Sequence, residues 1–153
     1  MKKRLLLPLL LLWSFTALGL PESTDEAEFL ECSISACKFR IEGEEVWLKP
    51  KGILLPRWIG TKKGNSWCWA EMSLSRQLES RLWELLSKAK RIEISGIEAK
   101  TVPIAVRVGK IQVHLADITI DGREVAEELF YLGLGILDRG FTIPQDERFW
   151  CRH

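Results

Sequence analysis

The side chains of this chain that could do chemistry fall into a few clusters. Lys49, Lys51, Arg57, Lys62 and Lys63 crowd together with Trp47, Trp58 and Trp67 interleaved. That pattern neutralises phosphates and offers rings for bases to stack on, although a charged rim around core-filling tryptophans reads the same way. Glu42, Glu44 and Glu45 surround Gly43; carboxylates in a turn suit a hard cation, and equally a solvated hairpin tip. Cys32, Cys37, Cys68 and Cys151 are an even set that favours two disulfides in an oxidising compartment, with three connectivities open. A zinc-type centre finds no support, because no CxxC pair occurs and the histidines are His114, best read as a core or strand position, and the terminal His153. No residue pattern implies a cofactor.

The segment carrying these groups is the size of one domain. Of 153 residues, Met1 to Gly19 reads as a secretory signal: Lys2, Lys3 and Arg4 precede an apolar run, and Ala17 and Gly19 offer small residues for cleavage. Residues 20–28 then read as an acidic linker and residues 29–153 as the domain. The expected location is periplasmic or secreted, with no stable membrane association after cleavage. Removing the signal leaves 19 Lys plus Arg against 21 Asp plus Glu, a net charge of −2. This weighs against tight nonspecific nucleic-acid binding, which requires many phosphate-neutralising cations, and leaves room for weak binding through a local basic face. The sequence names no partner.

The elements that must position these residues are legible from periodicity. Phe39 and Ile41, then Val46 and Leu48, alternate around a turn at Glu42 and Gly43, which predicts a hairpin. Leu74, Leu78, Leu82, Leu85 and Ala89 recur at helical spacing opposite Arg76, Glu79, Glu84 and Lys88, which predicts a long amphipathic helix. Arg91 to Ile94, Val102 to Val108 and Ile111 to Ile120 read as strands. Arg123 to Leu132 reads as a shorter helix ended by Gly133. Periodicity alone gives an α+β class, mainly β.

In order and spacing, several segments resemble the thermonuclease (staphylococcal nuclease-like) family. GILLPR (Gly52 to Arg57) resembles its GIDAPE element, and CWAEMSLSRQLESRLWELL the helix that follows. IQVHLADITIDGREVAEELFYLGLGILDRGF resembles its strand, DGR-type turn and helix ending in GLA, and ERFWC its RPWC ending. The resemblance spans Phe29 to Cys151 and implies a five-stranded OB-fold Greek-key barrel, with helices covering its open parts.

Active members of that family hold one Ca²⁺ with carboxylates from a DGDT turn and the GIDAPE loop, and use its glutamate as general base. Here the DGDT positions become Ala36, Cys37 and Lys38 after Ser35. The GIDAPE acid becomes Leu54, its neighbour Leu55 and the base Arg57. The resemblance thus implies a degenerate site, since leucines cannot ligate a cation and arginine does not give up its proton. The phosphate-clamping arginine of the family becomes Lys110 after Gly109, and its second arginine becomes either Trp47 or Lys49. Reading Glu42, Glu44 and Glu45 as a displaced metal turn leaves too little chain before Leu54 for the intervening strands. Glu71 resembles an acid common at the family's helix start, and complementing the helix dipole explains it equally. The leading expectation is an inactive binding or structural module; the alternative is a divergent exported nuclease using Lys49, Lys110 and a relocated Glu42, Glu44 or Glu71. The expected disulfides join Cys68 to Cys151, tying the long helix to the tail, and Cys32 to Cys37, bridging a turn in the first hairpin.

Overall fold

Alternating apolar residues build the centre of the sheet. The computed structural model describes residues 19–58, 68–106, 109–138 and 149–151. Strands β1 (Ser23–Thr24), β2 (Glu28–Ser33), β3 (Ala36–Ile41), β4 (Glu44–Pro50) and β5 (Ile53–Leu54) precede helix α1 (Trp69–Ser87). Strands β6 (Ile92–Ser95), β7 (Thr101–Ala105), β8 (Lys110–Ile120) and β9 (Arg123–Glu124) then lead into helix α2 (Val125–Tyr131), strand β10 (Ile136–Leu137) and a 3-10 turn at Phe149–Cys151. The chain is therefore α+β and mainly β.

The predicted hairpin forms with Ile41 opposite Glu44. Glu42 (φ 50°) and Gly43 (φ 86°) make the two-residue turn that positive φ at both positions allows. Phe39, Ile41, Val46 and Leu48 all face the core. The acidic turn itself is exposed, and Glu45 pairs with Arg40, so these carboxylates serve a solvated tip. The preceding turn is less ordinary. Ile34, β-branched and 1% exposed, takes φ 57°, a region costly for such a side chain. Its N–H donates to Glu79 Oε2 at 2.8 Å, which anchors the turn to α1.

The sheet runs β1-β6-β8-β4-β3-β2, with β7 and β9 also on β8. Among the described residues only β4 and β8 pair in parallel, Leu48 opposite His114 and Pro50 opposite Ala116. Its two ends, β1 and β2, are not paired with each other, so the sheet is open among the described residues. The acidic stretch read as a linker supplies β1, which covers the edge of β6, and Gly96 N–H donates to Glu22 O at 3.0 Å. Strand β8 begins one residue before the predicted Ile111 and ends at Ile120 as predicted, but its burial changes parity between Val113 and Ala116. There five residues, 96–100, lie opposite two, 115–116, where β7 hands over to β6, and an excess of residues on one strand bends a sheet.

Helix α1 covers the sheet with a stripe at 71, 75, 78, 82 and 86. The stripe is rotated from the predicted one: Leu74, Leu85 and Ala89 sit at its margin, while Leu86, Met72 and Ser75 are buried. Ser75 Oγ is satisfied by Met72 O at 2.8 Å. Helix α2 ends as its sequence predicts. Gly133 (φ 71°) donates to Phe130 O and Leu134 to Leu129 O, the paired bonds of a Schellman cap.

Candidate functional site

The segment after β4 decides what this region can do. Gly52 turns the chain with φ 73°, and β5 then pairs with β10, Ile53 opposite Leu137 and Leu54 opposite Ile136. Asp138 N–H donates to Gly52 O at 2.8 Å. Ile53 and Leu55 are 7% and 1% exposed and belong to the main core; Leu54 is half-buried. Gly135 comes so close that a Cβ there would collide with Ile53 and Leu55 Cδ2. The loop is thus held by apolar packing on one side and a two-residue strand pair on the other.

Arg57 follows buried Leu55 and Pro56 and meets Glu71 from the first turn of α1. Glu71 Oε1 accepts from Arg57 N at 2.9 Å and from Arg57 Nε at 3.2 Å. Glu71 is 1% exposed and Arg57 39%. A carboxylate so deeply placed requires a charged or donor partner, and Arg57 supplies both through one oxygen. Glu71 therefore does more than complement the helix dipole: it fixes the loop to the helix.

Lys49 lies at the end of β4, opposite Leu115 of β8, and is half-buried. Burial, and secondarily the charge of Arg57, holds its ammonium below the usual lysine range. Lys110 stands elsewhere, exposed at the start of β8 opposite Ala105 and five residues from Leu115, about 16 Å along the strand. Cys37 is 2% exposed on β3 and bonded to Cys32, its direct cross-strand neighbour.

The remaining basic and aromatic residues are mostly engaged with their own neighbours. Lys51 Nζ pairs with Asp117 Oδ2 at 2.9 Å and donates to Gly96 O at 3.3 Å. Lys38 Nζ sits 5.0 Å from the Trp47 ring centroid, and Arg76 Cζ 5.6 Å from that of Trp58. Lys62, Lys63, Trp67 and His153 lie outside the described residues. His114 is a strand residue, as its sequence context suggests, with Nδ1 2.7 Å from Glu98 O. The roles of Glu79 and Asp117 have no sequence signature, because each partner lies far away in the chain.

A carboxylate-held Ca²⁺ does not fit here. Ala36, Cys37 and Lys38 offer no oxygen side chain, Leu54 and Leu55 offer only methyl groups, and Glu71 is committed to Arg57. Among the described residues, no three His, Cys, Asp or Glu side chains gather closely enough to hold a metal ion. The second disulfide joins Cys68, at the start of α1, to Cys151 in the 3-10 turn, and both bonds follow the expected pairing. No protein-family model matches this chain, and no curated protein matches it.

Proposed function

We propose that this chain is an exported, thermonuclease-like domain that performs no metal-dependent phosphodiester cleavage and acts as a binding or structural module. One observation carries this reading. The loop that would hold an acid ligand and a general base is built into the core by Ile53 and Leu55 and tied to α1 through Arg57 and Glu71. An arginine at that point cannot take a proton from water at neutral pH.

The barrel is part of the same proposal. Its support is the strand order β2-β3-β4-β8-β6, which is first, second, third, fifth, fourth, with α1 inserted between the third and the fourth. That order suits a five-stranded, partly open Greek-key barrel. Export is supported by two disulfides with no free cysteine among the described residues, the state an oxidising compartment maintains. No helix of the described residues is long and apolar enough to cross a membrane.

The test is cleavage of single-stranded DNA and RNA by purified oxidised protein with added Ca²⁺. No turnover above buffer is expected, since losing ligands and base costs several orders of magnitude. Turnover that a chelator and Glu44→Gln both abolish would replace this reading with the divergent nuclease.

A further inference from the structure

Helix α1 carries a second seam that the fold leaves uncovered. Trp69, Ser73, Arg76, Ser80, Trp83 and Ser87 follow one another at alternating steps of four and three residues. They lie opposite the buried stripe and all six are exposed. Any outward helix face has that spacing; the alternation of size is particular to this one, with large side chains at 69, 76 and 83 and serine at 73, 80 and 87. Trp69 is 80% exposed and Trp83 50%, two indoles on a face that is ordinarily polar.

We propose that this seam is the interface of a homodimer in which two α1 helices pack antiparallel about a two-fold axis. Aligned end to end, the 19-residue helices set Trp69 against the partner's Ser87, Ser73 against the partner's Trp83 and Arg76 against the partner's Ser80. The two-fold repeats each pairing. Every large side chain then meets a small one along the whole helix, as close packing of facing layers requires. A parallel pair in register would instead stack indole on indole and leave gaps between serines.

Charge agrees with the fit. Arg76 has no acidic partner among the described residues; its Cζ lies 5.6 Å from the Trp58 ring centroid. Between Arg76 and Glu84 runs a groove of about 340 Å³, lined also by Gln77, Ser80 and Arg81. In the antiparallel alignment the partner's Glu84 stands one turn beyond the partner's Ser80, within reach of Arg76. Each oxygen of Glu84 already accepts one bond, from Arg81 or Lys88, and can accept another. The aromatic anchors are also rigid beforehand. Trp69 follows Cys68, which is bonded to Cys151, and Trp83 makes an edge-to-face contact with Phe29, ring centroids 5.1 Å apart. Little conformational freedom is lost on docking. One helix about 28 Å long from each copy makes a small interface, so the dimer is weak, with a dissociation constant of about 10–100 μM. This inference stands whether or not the chain cleaves nucleic acid.

The experiment is sedimentation equilibrium of the oxidised exported chain from about 5 to about 500 μM, a range that brackets that constant. The apparent mass should rise from monomer towards dimer. Arg76→Glu and Glu84→Arg each set like charges across the interface twice, and each should weaken association at least about tenfold. An equimolar mixture of the two variants should associate again, because every acid then faces an arginine. Trp69→Ser should weaken association about tenfold while the dilute monomer melts as wild type does. A monomer throughout the range would overturn the interface. So would a dimer indifferent to Arg76→Glu and Trp69→Ser, such as one formed through the exposed Phe130, Tyr131 and Leu132, or a mixture no more associated than its components.

Discussion

The two ends of helix α1 carry the same chemistry in opposite settings. At the C-terminal end Glu84 pairs with Arg81 and Lys88, three and four residues away, and is 43% exposed. At the N-terminal end Glu71 pairs with Arg57, fourteen residues away across a loop, and is 1% exposed. Pairs of the first kind are local and screened by water, so they contribute little. The second holds two elements together and cannot be broken without stranding a charge. What an ion pair does in this molecule is therefore decided by where its carboxylate is buried, and the stabilising end of α1 is the one that also bears a disulfide.

The largest test of that contrast is the disulfide. Replacing Cys68 and Cys151 by serine frees a loop with a sequence separation of 83 and should cost about 4–5 kcal/mol on the chain-entropy account. Urea unfolding of variant and oxidised wild type measures this; a loss below about 1 kcal/mol would show that the tail does not hold this end of the helix.

Next is Glu71→Gln, which keeps the size of the side chain and removes its charge. With Arg57 partly exposed, the expected loss is about 2–4 kcal/mol, read from the same unfolding curves. A neutral result would erase the distinction between the two ends.

The smallest effect belongs to Glu84→Gln. The hydrogen bond from Lys88, then that from Arg81, holds the Glu84 carboxyl below the ordinary glutamate range. Its contribution is complete above that range and disappears as pH falls through the depressed value. Because the group is exposed, wild-type and variant melts should superimpose at pH 7 and physiological salt and separate only slightly at low salt. A separation as large as that of Glu71→Gln would break the comparison from the other side.

Much of the local structure could be read in advance because each signal acts over a few residues. The alternation of Phe39, Ile41, Val46 and Leu48 and the turn at Glu42 and Gly43 specified the β3–β4 hairpin, and Gly133 specified the end of α2. The buried stripe on α1 lies part of a turn away from the one that the leucine spacing predicts. The sequence marks leucines, whereas docking buried Ser75 and Glu71, which found hydrogen-bonding partners within the fold. The change of parity along β8 was hidden for a similar reason: it comes from the handover between β7 and β6, not from the residues of β8 themselves.

By itself, then, the sequence determined the α+β class, the main elements, the even cysteine set, and the absence of acids at Leu54, Leu55 and Arg57. These depend on residue type and short-range spacing. Only the tertiary structure decided that Arg57 would lock onto Glu71, that Lys51 would turn to Asp117, and that Lys110 would lie apart on β8. Charges act through space, and the distances that set their partners arise only once β4, β8 and α1 have packed.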